Sequence, residues 1–270
     1  DRNPDAAAVP WWTSAVGYQV YPRSFQDADG DGVGDLRGIL TRLDHLEALG
    51  VDVVWLSPVY PSPMKDGGYD VADYQGVDPR FGTLADLDRL IEELHARGMK
   101  LILDVVLNHT SDQHPWFQAA RRGPDDPKRD WYWWRPPRPG TVPGEPGAEP
   151  TNWRSYFGGP AWSYDPASGM YYLHLFDRSQ PDLNWENPAV RRALHATLRW
   201  WLARGVDGFR MDVINLVSKA LSLRDGSEIG PDGLGDGTPF YESGPRIHEF
   251  VQELHREVFA GAGKELLVVG

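Results

Sequence analysis

The chain has no cysteine among its 270 residues, so neither disulfide bonds nor thiolate chemistry can contribute to its structure or activity. No apolar run approaches the roughly 18 residues that a membrane-spanning helix requires, and the N-terminal residues carry no signal-peptide pattern. These absences favour a cytoplasmic protein without a membrane partner.

Positive charge is also scarce. There are 27 Lys and Arg residues against 39 Asp and Glu residues, and the formal net charge is −12. Nucleic acids and anionic membrane surfaces attract positively charged proteins, so neither is expected as the main partner. No glycine-rich phosphate-binding motif follows the first predicted strand, which removes the commonest reason for a nucleotide-binding sheet.

Aromatic residues, by contrast, are abundant, with 12 Trp and 11 Tyr residues. Flat aromatic rings can stack on the apolar faces of sugars, although core packing explains most aromatic residues in most proteins. The composition is therefore compatible with a carbohydrate ligand and with an aromatic-rich core alike.

Apolar runs typical of buried strands alternate with helical patterns. The predicted strands are 15–25, 51–58, 100–109, 206–213 and 266–270. The predicted helices are 39–49, 83–97, 188–202 and 245–259. A capping box formed by Thr83 and Asp86 is expected to start the second helix. This alternation predicts a parallel sheet covered by helices.

The segment 110–180 interrupts the alternation. It contains nearly half of the prolines and half of the tryptophans, and it has little helical periodicity. A long irregular segment in a compact fold is typical of a small inserted domain, in which 170–176 is a candidate strand. The predicted organisation is an α/β part over 1–109, an insertion over 110–180 and a continued α/β part over 181–270.

Polar residues cluster after the carboxyl ends of the predicted strands. Barrels and open doubly wound sheets both place their functional sites there. The alternation alone leaves both architectures open.

Two opposite charges lie near the end of the strand 206–213. Side chains alternate across a strand, so Arg210 and Asp212 share one face. Since unpaired buried charge is costly, they form either a structural ion pair or a pair used in chemistry. Asp104, which lies among Leu and Val residues in the preceding strand, also needs a cation, and Arg210 is the natural candidate.

Three further polar residues follow predicted strands. His109 ends the strand 100–109, and it could be an ordinary capped loop histidine or a donor to a sugar hydroxyl. Asp66 and Tyr69, in the sequence DGGY, could be ordinary turn residues. A ring beside two glycines, exposed at the strand ends, would also suit stacking on a sugar.

The sequence DADGDGVGD, over 27–35, places oxygen atoms at alternate positions. The potential ligands are Asp27, Asp29, Asp31, the carbonyl group of Val33, and Asp35. These offsets, with Gly32 at the sixth position, match the first part of a calcium-binding loop. Gly38 stands where an EF-hand has its bidentate Glu. We expect a structural divalent cation, Ca²⁺ or alternatively Mg²⁺, and a solvated acidic loop is the competing interpretation.

Several stretches together resemble the α-amylase superfamily, glycoside hydrolase family 13. DVVLNH (104–109), QPDLNW (180–185), GFRMDV (208–213) and LLVVG (266–270) fall in that family's order and spacing. YPRSFQDADGDGVGDLRG, GGYDVADY and GFRMDVINLVSK resemble the oligo-1,6-glucosidases and other exo-acting α-glucosidases more specifically. The resemblance implies a (β/α)8 TIM barrel, of which this chain holds strands 1 to 5, with a B domain inserted after strand 3.

The resemblance also implies roles for the charged residues. Asp212 would be the nucleophile of a retaining reaction, Arg210 would hold it ionised and oriented, and Asp104 would brace that arginine. In the family, the acid/base Glu directly follows the fifth strand, which here ends at Gly270. The acid/base residue and strands six to eight are therefore expected in a remainder of the barrel.

The same resemblance implies a sugar-binding role for the other candidates. His109 and Asp66 would bind hydroxyl groups of a terminal glucose, and Tyr69 would stack beneath its ring. The acidic loop also matches the cation site of these glucosidases. Valine after the nucleophile accompanies activity on α-1,6 bonds, whereas threonine accompanies α-1,4 preference, and here the residue is Val213.

The expected function is thus retaining hydrolysis of terminal α-1,6 glucosidic bonds in short oligosaccharides, with α-1,4 bonds as further substrates. A transglycosylase or a sucrose or trehalose isomerase of the same family is the alternative. A non-catalytic family member that serves as a binding subunit is a third interpretation.

Overall fold

A five-stranded parallel sheet forms the centre of the computed structural model, which describes residues 9–270. The strands in chain order are β1 (Gly17–Val20), β2 (Val53–Leu56), β3 (Lys100–Val106), β4 (Trp134–Arg135), β5 (Trp162–Asp165), β6 (Met170–Leu173), β7 (Gly208–Asp212) and β8 (Leu267–Val269). The central sheet has the order β1-β2-β3-β7-β8. All five strands of the predicted parallel sheet are therefore present.

Helices connect these strands and cover the sheet. They are α1 (Pro22–Phe25), α2 (Leu36–Leu40), α3 (Leu43–Ala48), α4 (Leu84–Ala96), α5 (Pro115–Ala120), α6 (Pro188–Ala203), α7 (Thr238–Tyr241) and α8 (Ile247–Leu254). The predicted capping box at Thr83 and Asp86 is present at the start of α4. Within residues 9–270, no helix combines the length and the apolar character needed to cross a membrane.

The middle of the sheet is buried on both faces. Every residue of β3 after Lys100 is buried, as expected for a parallel strand covered by helices. α4 contributes Leu87, Leu90 and Leu94 to the same core. β1 and β8 are the edge strands, each paired on one side only among the described residues.

The segment predicted as an insertion contains a sheet of its own. β4, β6 and β5 pair in antiparallel fashion in that order. A second apolar cluster, which includes Trp153 and Trp162, packs around them. One short helix, α5, precedes this sheet, although the sequence shows little helical periodicity there. This unit lies between β3 and α6 in the chain.

The first predicted strand, 15–25, is too long. Only Gly17–Val20 pairs with β2, and the chain then forms the helical turn α1. Pro22 occupies the first position of that turn, where its fixed φ suits a helix and its missing N–H costs no hydrogen bond. Pro22 therefore ends the strand earlier than the apolar pattern indicates.

The predicted helix 39–49 is two helices instead of one. Asp35 caps α2 by accepting a hydrogen bond from the Gly38 amide, so this helix begins earlier than predicted. The Thr41 hydroxyl donates to the Gly38 carbonyl oxygen, and α2 ends before α3 begins. Hydroxyl side chains that bond back to the helix backbone compete with regular helical hydrogen bonds.

Candidate active site

Three charged side chains meet where β3 and β7 run side by side. Asp104 pairs in register with Arg210, and Asp212 lies two residues further along β7. Arg210 and Asp212 therefore share one face, as the alternation of side chains predicts, and the parallel pairing brings Asp104 to them.

The guanidinium group of Arg210 bridges the two carboxylates. Its Nη1 atom lies 2.5 Å from Asp212 Oδ1 and 3.2 and 3.3 Å from the two side-chain oxygens of Asp104. Asp104 is buried, whereas Asp212 is partly exposed at the strand end. One positive charge thus lies against two negative charges, and the more accessible carboxylate is that of Asp212.

The two carboxylates differ in their remaining partners. Asp104 Oδ2 accepts hydrogen bonds from Trp55 Nε1 at 3.0 Å and from the Tyr69 hydroxyl at 3.1 Å. Among the described residues, Arg210 is the only hydrogen-bond donor to the Asp212 side chain. Both oxygens of Asp104 are therefore occupied by donors from the protein, while Asp212 keeps lone pairs that can reach a ligand.

The environment of Asp104 gives it a pKa that differs from that of an ordinary carboxyl group. Burial raises the pKa of Asp104 to about 6, and the positive charge of Arg210 opposes this rise. Burial, together with the nearby charge of Asp104, also raises the pKa of the Tyr69 hydroxyl. Tyr69 therefore stays protonated and remains a hydrogen-bond donor.

Asp104 should make stability depend on pH in a direction opposite to that of a salt-bridged surface carboxylate. Its pKa is higher in the folded state than the ordinary value of 3.8, so the folded state binds more protons between the two values. Its contribution to the free energy of unfolding therefore falls as the pH rises from about 4 to about 6. Relative to Asp104→Asn, we expect the wild type to lose about 3 kcal/mol across this interval. Urea unfolding at several pH values measures this, and a difference that is constant with pH would contradict the raised pKa.

A second polar group lies beside the ion triad of Arg210, Asp104 and Asp212, and it consists of Gln180, Asp66 and His109. Gln180 Nε2 donates to Asp66 Oδ2 at 2.9 Å and lies 3.2 Å from His109 Nε2. Burial lowers the pKa of His109 and raises the pKa of Asp66. The charge of Asp212 adds to the rise in the pKa of Asp66 and opposes the fall in the pKa of His109, so these two side chains lie within electrostatic reach of it.

The predicted site residues therefore meet at one end of the sheet. Tyr69 connects to the ion triad through Asp104, and His109 and Asp66 connect to each other through Gln180. The ring of Phe176, from the segment after β6, lies 5.2 Å from the ring of His109. The segment predicted as an insertion thus borders the site.

Val213 adopts an unusual backbone conformation directly after Asp212. Its φ is 42° and its ψ is 37°, which is the left-handed region. This region is strained for a β-branched residue. The chain turns there into a short helical turn, Ile214–Leu216, so that Asp212 is the last residue of β7.

Several residues of the site were not predicted. Gln180 links Asp66 to His109, and Trp55 donates to Asp104. Lys219 is fully buried and lies 2.9 Å from Asp182 Oδ2. A lysine in the largely apolar stretch after β7 was the available signal, because a buried cation requires a partner.

The acidic loop brings three of its four predicted carboxylates together. One oxygen from each of Asp27, Asp29 and Asp35 lies within 4.8 Å of the others. Asp31 lies outside this group and accepts a hydrogen bond from the Val33 amide. Hydrogen bonds from the Gly32 and Gly30 amides lower the pKa of Asp27, which keeps its carboxylate ionised.

The chemistry of these donors fits a hard divalent cation. Ca²⁺ and Mg²⁺ both prefer oxygen ligands, and Ca²⁺ accepts carboxylates together with backbone carbonyl groups in a flexible arrangement. Asp35 also caps α2 through its Oδ1 atom. An ion bound there would therefore connect the loop to the start of that helix.

Comparison with known proteins places this arrangement in a family. The family model described as alpha amylase, catalytic domain, matches residues 19–270. The chain is 55% identical to the oligo-1,6-glucosidase of Parageobacillus thermoglucosidasius, over 93% of this chain and 43% of that protein. It is 50% identical to the trehalose-6-phosphate hydrolase of Bacillus subtilis, over 93% of this chain and 43% of that protein.

Solved structures agree with this relationship. The trehalose-6-phosphate hydrolase of Bacillus licheniformis superposes with a TM-score of 0.90 and 48% identity, over 97% of this chain and 45% of that one. The trehalulose synthase MutB from Pseudomonas mesoacidophila MX-45 superposes with a TM-score of 0.87 and 46% identity, over 97% of this chain and 45% of that one. The chain spans less than half the length of these relatives.

The predicted architecture is thereby confirmed over the doubly wound alternative. The five parallel strands correspond to part of a (β/α)8 barrel. With the family model matched over residues 19–270 and relatives about half identical, the chain belongs to the α-amylase family, glycoside hydrolase family 13.

Proposed function

We propose that the protein is a retaining, exo-acting α-glucosidase that hydrolyses terminal α-1,6 glucosidic bonds of short oligosaccharides, with α-1,4 bonds as secondary substrates. The observation that supports this most strongly is the Arg210 guanidinium held between buried Asp104 and the more accessible Asp212. A partly exposed carboxylate at a strand end, oriented by a fixed cation, has the properties of a nucleophile.

In the proposed reaction, an oxygen of Asp212 attacks the anomeric carbon and the bond to the leaving oxygen breaks. A covalent glucosyl-enzyme results, and a general acid protonates the leaving oxygen. Water then cleaves the glucosyl ester, and the same acid/base group takes up the proton of that water. Retaining enzymes need this second carboxyl group about 5 Å from the first, and we expect it to come from outside residues 1–270.

The position of Arg210 also explains how two carboxyl groups can lie close together in this site. Asp104 and Asp212 would repel each other if both were ionised without a cation between them. Arg210 contacts both, and it stays charged at any working pH. The proposed role of Asp104 is to hold the guanidinium group in place.

Recognition of the terminal glucose is assigned to the second polar group and to Tyr69. His109 and Asp66 would hydrogen-bond to sugar hydroxyl groups, and the ring of Tyr69 would pack beneath the sugar. The hydrogen bond from the Tyr69 hydroxyl to Asp104 supports this by fixing the ring. These contacts would hold the sugar against the Asp212 carboxylate.

A transglycosylase or an isomerase of sucrose or trehalose is the second candidate. The observation in its favour is the superposition on a trehalulose synthase. The two functions are separated by the products formed from isomaltose, maltose, trehalose and sucrose by the full-length protein. We expect free glucose from isomaltose first and from maltose second, whereas an isomeric disaccharide as the main product would establish the second candidate instead.

Exchange of the residue after the proposed nucleophile tests the linkage preference. Threonine and valine are both β-branched and nearly equal in size, so Val213→Thr preserves the backbone strain at this position and changes only a methyl group to a hydroxyl. We expect the ratio of kcat/KM for isomaltose to that for maltose to fall by about tenfold or more. An unchanged ratio in the same product assay would contradict the proposed role of Val213.

We also propose that the acidic loop binds Ca²⁺ as a structural ion, with Mg²⁺ as a weaker alternative. The proposed ligands are the clustered carboxylates of Asp27, Asp29 and Asp35 and the carbonyl group of Val33. Asp31, which lies outside the cluster, would have to move towards the ion to complete the predicted set. Three clustered carboxylates repel one another without a cation, so an ion that binds only the folded state should stabilise it.

Calcium should therefore raise the unfolding temperature of the full-length protein by several degrees, and a chelator should reverse the rise. Asp29→Asn removes one exposed ligand that caps no helix, and it should abolish most of the calcium effect. Asp73→Asn changes another exposed aspartate and is the matched control. Equal unfolding temperatures with calcium and with chelator in the wild type would contradict the proposed site.

A further inference from the structure

A buried carboxylate lies inside the loop 61–72, which carries Asp66 into the candidate site. Asp70 has no exposed surface. The loop is closed at its base by a hydrogen bond from the Ala72 amide to the Pro61 carbonyl oxygen at 2.8 Å. The carboxylate of Asp70 accepts three hydrogen bonds, and all three donors belong to this loop. Asp70 therefore connects parts of the loop to one another.

The donors to Asp70 are two consecutive backbone amides and one hydroxyl group. Oδ2 accepts from the Lys65 amide at 2.8 Å, and Oδ1 accepts from the Asp66 amide at 3.1 Å and from the Ser62 hydroxyl at 2.9 Å. The Ser62 oxygen accepts in turn from the Met64 amide at 2.9 Å, so its hydroxyl hydrogen remains free for Asp70. A carboxylate suits this position because its two oxygens accept from several donors at once.

The backbone that these bonds hold is conformationally strained. Met64 has a φ of 60°, in the left-handed region that residues other than glycine rarely adopt. Gly67 and Gly68 have φ values of 59° and 107°, which glycine tolerates because it has no Cβ atom. Residues with positive φ thus lie on both sides of Asp66. Such a conformation needs stabilising contacts from its surroundings, and the hydrogen bonds to Asp70 provide them.

Asp70 fixes the backbone of Asp66, whereas Gln180 contacts its side chain. The Asp66 amide donates to Asp70, and the Asp66 carbonyl oxygen accepts from the Tyr69 amide at 3.0 Å. Gln180 Nε2 donates to Asp66 Oδ2. Burial raises the pKa of Asp66, and the charge of Asp70 adds to this rise. The direction in which the Asp66 side chain leaves the loop and the charge around it therefore both depend on Asp70.

We propose that Asp70 is a positioning residue, which accepts hydrogen bonds from the backbone of loop 61–72 and thereby directs the Asp66 carboxylate to the terminal glucose. Because Asp70 is fully buried, it acts on the sugar through Asp66. The sugar contact of Asp66 rests on the proposed function, whereas the hold of Asp70 on the loop does not.

Hydrogen–deuterium exchange of the full-length protein, read by mass spectrometry of its peptides, tests the hold on the loop. The side-chain amide in Asp70→Asn has only one oxygen. In either orientation its nitrogen faces the backbone N–H of Lys65 or Asp66, so one of these groups loses its acceptor. We expect the peptide that covers loop 61–72 to exchange about tenfold faster than in the wild type. Unchanged exchange in this peptide would overturn the proposal.

A double-mutant cycle in the hydrolysis of isomaltose tests the positioning role. Asp66→Ala removes the carboxylate but keeps the backbone amide that donates to Asp70. We expect KM to rise about thirtyfold in Asp66→Ala and about tenfold in Asp70→Asn. The effects on kcat should be smaller, because a contact made equally by bound substrate and transition state changes KM. In the Asp66→Ala background, Asp70→Asn should change KM by less than about twofold.

A milder variant and a matched control accompany the cycle. Ser62→Ala removes only the hydroxyl donor to Asp70 Oδ1, so it tests the same role even if Asp70→Asn does not fold. It should raise KM about threefold, again only where Asp66 is present. Asp207→Asn is the control, because Asp207 is buried, accepts from the Leu101 amide at 3.0 Å and precedes β7 at the end opposite to the candidate site. It should change neither KM nor the exchange of loop 61–72.

The outcomes separate this inference from the proposed function. An equal rise in KM on Asp70→Asn with and without the Asp66 carboxylate would overturn the positioning role. An unchanged KM in Asp66→Ala would refute the sugar contact of Asp66, and the positioning role with it, while faster exchange of the loop in Asp70→Asn would still establish that Asp70 holds the loop.

Discussion

Asp212→Asn is expected to lower kcat/KM for isomaltose by about 10⁴-fold or more while leaving the protein folded. The amide has almost the shape of the carboxylate, but its oxygen is a poor nucleophile. It also carries no charge to be held by the Arg210 guanidinium, which lies 2.5 Å from Asp212 Oδ1 in the wild type. Steady-state hydrolysis of isomaltose by the full-length protein gives the loss.

The fold should not suffer, because Asp212 is partly exposed and Arg210 keeps Asp104 as a partner. Circular dichroism and the unfolding temperature of the variant should match those of the wild type. Asp73→Asn makes the same chemical change at an exposed position and should retain full activity. Turnover of Asp212→Asn within tenfold of the wild type would refute the proposed nucleophile.

Arg210→Met should have the largest effect on stability, a loss of about 3–5 kcal/mol in the free energy of unfolding. The substitution keeps most of the side-chain length but removes the cation that lies between two carboxylates. Asp104 is only 1% exposed, so without a positive partner it must either keep an unpaired buried charge or take up a proton, and both cost stability. Urea unfolding of the full-length protein at neutral pH measures the loss.

Two further variants show whether the loss of stability comes from the charge of Asp104. Arg37 pairs with Asp86 at 2.9 Å, but 67% of its side chain is exposed, so Arg37→Met should cost less than about 1 kcal/mol. Adding Asp104→Asn to Arg210→Met removes the buried charge and keeps an acceptor for Trp55, so it should restore part of the lost stability. A cost for Arg210→Met no larger than that for Arg37→Met would contradict the role of Arg210 as the partner of buried Asp104.

Much of the framework of the candidate site could be predicted from the sequence because it depends on local periodicity. The alternation of side chains along β7 puts Arg210 and Asp212 on one face whatever the rest of the chain does. Continuous apolar runs predict strands that are buried on both faces, and this holds for β3. The pairing of Asp104 with Arg210 followed from the cost of a buried charge and is observed in register.

The remainder depends on contacts between distant residues. Gln180 reaches Asp66 across 114 positions of the chain, and Lys219 reaches Asn108 across 111. No spacing rule connects such residues, because the inserted segment and the turn after β7 bring them together only in the folded protein. The left-handed backbone of Val213 was equally hidden, since β-branched residues favour extended conformations.

Local chemistry explains the errors in the boundaries of the elements. Pro22 starts a helical turn inside the first predicted strand, and Thr41 interrupts a predicted helix by bonding to Gly38. Pro22 has no backbone N–H to donate to a neighbouring strand, and the Thr41 hydroxyl donates to a backbone carbonyl group of the helix. The pattern of apolar residues contains no information on either effect. The prediction from that pattern therefore made the first strand too long and merged α2 and α3 into one helix.

The covalent bond between glucose and Asp212 is the central claim, and trapping it is the most direct test. A fluorinated α-glucosyl fluoride, whose enzyme-bound intermediate hydrolyses slowly, is incubated with the full-length protein, and the digested protein is examined by mass spectrometry. We predict that the peptide containing Asp212 gains the mass of one fluoroglucosyl group and that Asp212→Asn gains none. Labelling of a different carboxylate, or inactivation without any covalent adduct, would contradict the assignment of Asp212 as the nucleophile.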